Sequence, residues 1–106
     1  MKNNLTLVYV TATNKDEAVK IGEEVVSMRL AACANVIENM TAIYWWENKI
    51  ETSDEVVLIL KTKESLLSEL EETVKKLHSY SCPCIVAIPL LCASEDYAGW
   101  ILKETK

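Results

Sequence analysis

The stretch Val36-Ile37-Glu38-Asn39-Met40-Thr41-Ala42-Ile43-Tyr44-Trp45-Trp46, followed by Glu47-Asn48 and a return from Ile50 to Thr62, decides the fold. Cys33 to Trp46 contains neither Pro nor Gly and is rich in Val, Ile, Thr, Tyr and Trp. Such side chains suit a pleated surface. Extended, Val36 to Trp46 would run about 36 Å, roughly twice a usual strand. Glu47-Asn48 predicts a tight turn, because Asn tolerates φ > 0 better than most non-glycine residues. The return carries Val56-Val57-Leu58-Ile59-Leu60. Apolar at every position, it is expected at the centre of a sheet and covered on both sides.

Upstream, Leu5 to Thr13 reads as a central strand, with Leu5, Leu7 and Tyr9 on one face and Val8 and Val10 partly filling the other. Asn14 is a suitable N-cap, and Glu17 three residues on completes a capping-box variant. The helix that follows places Ala18, Ile21, Gly22 and Val25 on one stripe, extended by Met28. Downstream, Thr62 is expected to cap a second helix with the stripe Leu66, Leu70, Val74 and Leu77, widened by Leu67. His78 ends that helix, where its protonated form would complement the dipole. Ile85 to Leu90 reads as a short strand that Pro89 confines to an edge or an end. Ser94 can cap a last helix, with Glu95 and Asp96 in its first turn and Tyr97, Trp100 and Ile101 on its apolar side. The order β-α-β-β-α-β-α predicts an α+β ferredoxin-like sandwich: an antiparallel sheet with a long central hairpin, two helices on one face and an added C-terminal helix.

The 106 residues leave room for one domain, spanning 1–106. Half of them are hydrophobic and a quarter charged, the balance of a globular chain. A net charge of −5 argues against nucleic-acid binding, which needs basic surface. The start, Met1-Lys2-Asn3-Asn4, leads into no long apolar segment, so neither a signal peptide nor a membrane span is expected. The location expected is the cytoplasm, with Cys33, Cys82, Cys84 and Cys92 as reduced thiols. Trp45 and Trp46 are adjacent on a strand and must point to opposite faces. Two helices cover only one face of the sheet, and an arm this long overhangs its body. An oligomer of identical chains is therefore expected.

His78-Ser79-Tyr80-Ser81-Cys82-Pro83-Cys84 gathers the only histidine and two of the four cysteines. His78, Cys82 and Cys84 are candidate ligands for Cu(I) or Zn²⁺, since thiolate and imidazole select soft and borderline ions. The competing reading makes the cysteines small buried hydrophobes and His78 a helix-end cap, and a fourth ligand is not obvious. Cys92 could complete the set only if Pro89 to Cys92 folds back. Cys33 is expected to pack. Cys33 with His78 lacks an orienting acid or an oxyanion motif, so no catalysis is expected. Tyr44, Trp46, Lys61, Tyr80 and Trp100 are candidates to line a cleft between subunits, or else to be buried in the subunit contact.

Several segments in order carry a resemblance: Leu30-Ala31-Ala32-Cys33-Ala34-Asn35, Tyr44-Trp45-Trp46-Glu47-Asn48-Lys49-Ile50, Leu60-Lys61-Thr62, His78-Ser79-Tyr80 with Pro83, Pro89, and Asp96-Tyr97 with Trp100-Ile101. From Val8 to Ile101 the chain resembles the CutA family of divalent-cation tolerance proteins. The resemblance implies a homotrimer of ferredoxin-like subunits, paired through the long hairpins. It also implies a distant likeness to PII-type signalling proteins, a link to tolerance of copper and other divalent cations, and no enzymatic activity. No cofactor is required on this reading, and copper or another divalent cation is the metal partner. The chain departs from the family's His-Pro-Tyr-Glu-x-Pro at Ser79 and Ser81, and has Val10 and Leu77 where copper-site members carry Cys and His. The alternative is a PII-like sensor of a small anion or nucleotide at the inter-subunit cleft. A copper chaperone would want Cys-x-x-Cys where this chain has Ala12-Thr13-Asn14-Lys15, and an acylphosphatase would want a basic anion-binding loop there.

Overall fold

The computed structural model describes residues 4–106, so the Met1–Asn3 part of the expected leaderless start lies outside it. Strand β1 (Leu5–Ala12) leads to α1 (Lys15–Ser27), the hairpin β2 (Cys33–Trp46) and β3 (Lys49–Lys63), a 3-10 turn (Glu64–Leu66), α2 (Leu67–Leu77), β4 (Ile85–Pro89) and α3 (Glu95–Glu104). The sheet order is β2-β3-β1-β4, with every neighbouring pair antiparallel. This is the expected α+β ferredoxin-like arrangement with its long hairpin.

Residues facing each other across a ladder share a face, so the registers sort the sheet. Val8 faces Leu60 and Ala87, Val10 faces Leu58 and Ile85, and Ala12 faces Val56. These residues point at α1 and α2. Val8, Val10, Ala12, Val56, Leu58 and Leu60 form the main core with Ala18, Ile21, Val25, Leu70 and Val74; Ile85 packs against it and Ala87 stays exposed. The two faces of β1 are therefore reversed in weight: Val8, Val10 and Ala12 fill the core, while Leu7 and Tyr9 lie half-buried on the opposite, open face. Both faces of β1 are apolar, so the sequence alone does not say which one the helices cover. A Cβ at Gly22 would lie 3.0 Å from the Ala34 Cβ, so the glycine lets α1 approach β2 closely.

The caps follow the sequence in part. The Asn14 side chain accepts from the Glu17 N–H, while Glu17 reaches back to the Thr13 N–H at 2.8 Å. Met28 caps the C-terminus of α1 and is exposed rather than extending the stripe. Thr62 caps nothing: β3 runs past it, and its buried hydroxyl donates to the Leu30 carbonyl at 2.6 Å. In α3 the buried side is Ala98 and Ile101, packed near Leu5, while Tyr97 and Trp100 stand largely outside. Helix α3 lies on the open face, away from the arm, where Tyr97 OH meets Lys61 Nζ at 3.2 Å.

The turn at Glu47-Asn48 is left-handed at both residues, φ 50 and 65. Both angles fit a two-residue primed turn, whose twist matches that of the strands. One irregularity was not foreseen. Ile37 faces Val57, yet Met40 faces Glu55, so β2 carries one extra residue. Asn39 in that bulge has φ 64. The extra residue exchanges the faces of the arm. Met40, Ala42, Tyr44 and Trp46 turn to the open face, and Thr41, Ile43 and Trp45 to the other. Ile43 is 70% exposed, Trp45 72% and Ile50 61%. The arm makes the molecule 45 Å long against 25 and 23 Å across.

Because a β-branched residue is strained at φ near +60°, Asn39→Val should lower stability by about 1–2 kcal/mol, and Asn39→Gly should be near neutral. Urea unfolding at one fixed protein concentration reads both.

Candidate functional site

The chain between α2 and β4 turns on His78. Its imidazole is fully buried, with 0% side-chain exposure. Nδ1 accepts the Tyr80 N–H at 3.0 Å, which leaves Nε2 as the protonated nitrogen that donates to the Thr11 carbonyl at 2.7 Å. The ring therefore ties the end of α2 to the end of β1. It does not sit over the last carbonyls of its own helix as the dipole argument expected. Glu17 joins the same junction: Oε2 accepts the Ser79 N–H at 2.8 Å and lies 4.0 Å from Nδ1. Burial pushes the Glu17 carboxyl up, but the Thr13 and Ser79 hydrogen bonds outweigh it, and the net direction is down from 4.5.

From this junction Tyr80, Ser81, Cys82 and Cys84 run along the rim of a groove on the open face, about 640 Å³ in volume. The bulged strand supplies Met40, Ala42, Tyr44 and Trp46 to it, and β1 supplies Tyr9 and Thr11. Glu55 belongs to the floor and is only 8% exposed. Its Oε2 accepts from Tyr80 OH at 3.2 Å and from Ser53 Oγ at 3.3 Å, and Ser53 Oγ lies 3.3 Å from Tyr44 OH. Burial first, and then the Glu55 charge, pushes the Cys84 thiol above its ordinary value.

The cleft candidates therefore divide. Tyr44, Trp46 and Tyr80 line one groove. Lys61 and Trp100 do not: Lys61 pairs with Tyr97 at the far end of the open face, 5.3 Å from the ring centre, and Trp100 stacks on Tyr97 at 5.4 Å. Cys33 is half-buried, with Sγ 3.6 Å from Tyr97 OH. The metal candidates divide too. Cys82 and Cys84 share the groove rim, while both His78 nitrogens are already bonded. Cys92 does not fold back. The Leu90 N–H bonds to the Leu5 carbonyl, so the chain leaves β4 at the end opposite Cys84. Among the described residues no three His, Cys, Asp or Glu side chains converge as an ion site, so one chain does not close the expected ligand set. Glu55 is the residue that the sequence reading passed over. Its signal was a carboxylate directly preceding the apolar run of a central strand.

Two substitutions test the junction. His78→Ala should cost about 1–3 kcal/mol by leaving the Thr11 carbonyl and Tyr80 N–H unpaired. Glu17 has a lowered folded value, so its contribution is present above 4.5 and is lost as pH falls through that lowered value. Glu17→Gln should therefore be less stable near neutrality and flatten the acid limb of a stability–pH curve measured by urea unfolding.

The profile of the family described as CutA1 divalent ion tolerance protein matches residues 6–104. A divalent-cation tolerance protein CutA from Pyrococcus horikoshii is 44% identical over 96% of this chain and 99% of its own. A chloroplastic CutA 1 from Oryza sativa is 39% identical over 94% of this chain, which spans only 56% of that relative. Among solved structures, CutA1 from Oryza sativa superposes with a TM-score of 0.93 at 38% identity, covering 96% of this chain and 94% of the other. CutA from Archaeoglobus fulgidus, titled a periplasmic divalent cation tolerance protein, gives 0.93 at 34% identity over 96% and 99%. With a matching profile, relatives that align along nearly the whole chain and solved structures that superpose on it, the chain belongs to the CutA1 divalent ion tolerance family.

Proposed function

We propose that residues 1–106 form one subunit of a non-catalytic homotrimer that binds copper or another divalent cation in a tolerance role. The arm carries the assembly part of this reading. Ile43, Trp45 and Ile50 crowd one of its faces and Trp46 the other, all more than half exposed in the single chain. A compact monomer of this mass exposes about 5,900 Å², whereas this chain exposes 6942 Å². The exposed apolar side chains of the arm call for a partner, and a second copy supplies the same surface in a closed symmetry.

The pair Cys82 and Cys84 on the groove rim carries the metal part. Thiolates favour Cu(I) and Zn²⁺, and two of them per chain leave a site for other donors to complete. His78 can join only by giving up a ring hydrogen bond, so the thiol pair matters more. Free thiols also fit a reducing compartment such as the cytoplasm. Among the described residues no helix is long and apolar enough to cross a membrane. The alternative, a sensor of a small anion or nucleotide, finds little support in this groove, whose floor is a buried carboxylate.

The reduced protein should sediment as a trimer, and Ile43→Asp with Trp45→Asp should give a smaller species; a monomeric parent protein would overturn the assembly. Calorimetry should show Cu(I) or Zn²⁺ binding that tightens as pH rises, because the raised Cys84 thiol must lose its proton to bind. Cys82→Ser with Cys84→Ser should remove it and His78→Ala should weaken it less; binding unchanged in the double variant would refute the thiol site.

A further inference from the structure

We infer that the buried Glu55 carboxylate is completed across the subunit contact by Lys61 of a second copy of this chain, the base of one arm meeting the α3 end of the next copy's open face. The inference rests on the assembly reading above and deepens it by naming the charge pair that sets how two copies meet.

Glu55 and Lys61 both lie on β3, six residues apart. An even spacing puts them on one face of the strand, and the strand rise separates them by about 20 Å. That face is the open one, since Lys61 stands opposite Leu7 across the ladder and Glu55 opposite Met40. Neither finds its opposite charge within the chain. Glu55 is only 8% exposed and accepts hydrogen bonds from two hydroxyls, Tyr80 OH and Ser53 Oγ. Lys61 is half-buried; its ammonium donates to Tyr97 OH and lies over the Tyr97 ring. The ion pairs among the described residues all involve other side chains.

A second copy covering the open face takes both charges farther from water. A charge enclosed without its opposite is strongly unfavourable, so the cover has to bring the two signs together. The covering copy carries the same two charges on the same face. Two other lysines of β3 share that face, and neither is fixed as Lys61 is. Lys49 is exposed at the turn, and the Lys63 side chain makes no hydrogen bond among the described residues. A cation already held in place loses less freedom on pairing. Because acid and base occupy opposite ends of one face, each copy offers Glu55 to one neighbour and Lys61 to the other. Head-to-tail contacts of this kind close into rings. The same contact brings Tyr44, Trp46 and Tyr80 of one copy towards Lys61 and Trp100 of the next, residues that a single chain keeps apart.

The test is a double-mutant cycle on assembly, read by sedimentation over a dilution series in enough urea to half-dissociate the parent protein. Glu55→Gln, which still accepts from Tyr80 and Ser53, and Lys61→Met should each raise the dissociation constant at least about thirtyfold. The double variant should fall short of the product of the two effects by at least about tenfold. Within one chain the sites are too far apart to couple, so that shortfall reports a contact between copies. Exchanging the charges, Glu55→Lys with Lys61→Glu, should assemble better than either single reversal. Lys61→Arg should assemble like the parent, which keeps the pairing testable from the lysine side even if the Glu55 variants fold poorly. Additive effects in the cycle, an exchange variant no better than the worse single reversal, or loss of assembly in Lys61→Arg would overturn the pairing while leaving a trimeric parent intact. A parent that is monomeric without urea would overturn the assembly reading and the pairing together.

Discussion

The single extra residue at Asn39 is the constraint on which the rest of the open face depends. A strand alternates its side chains without exception, so a regular β2 would have kept Ile37, Ile43 and Trp45 together. The left-handed Asn39 breaks that parity once, between the body of the sheet and the arm. Met40, Tyr44 and Trp46 are thereby placed on the same side as Thr11, Tyr9 and Glu55, and the groove exists as a result. Bulges re-aim side chains in this way at functional edges. Asn is one of the few residues that takes the conformation without glycine's entropy cost.

A second consequence concerns the division of labour between the two ends of the subunit. At one end α3 covers the open face and engages Lys61 and Cys33 through Tyr97. At the other, two strands project beyond the helices with apolar side chains on both sides. The body can fold around α1, α2 and the strand centre with a sealed core. The arm cannot bury itself. The groove at its base shares that uncovered end of the subunit.

His78 shows how a residue's chemistry can be consumed by structure. One imidazole satisfies a strand carbonyl and a loop N–H at once, and the neighbouring Glu17 secures both the start of α1 and Ser79. The junction positions the segment that carries Tyr80, Cys82 and Cys84 along the groove. Its first role is to aim that rim.

Much of this could be read from the residues. The 3.6-residue stripe of α1, the Asn14 and Ser94 caps, the Glu47-Asn48 turn, the edge position of Pro89 and the order of elements follow from local propensity and periodicity, which act within a few residues. The adjacent tryptophans on opposite faces announced an uncovered arm for the same reason. Tertiary structure decided what depends on non-local pairing. It chose Val8, Val10 and Ala12 over Leu7 and Tyr9 for the core, because only the helices seal a face completely. It carried Thr62 into the sheet to meet Leu30, sent Cys92 to the far end of β4, and bulged β2 at Asn39. Most of all it buried Glu55, a carboxylate unremarkable in sequence, against the hydroxyls of Tyr80 and Ser53, since which carboxylate is enclosed depends on segments far apart in the chain closing together.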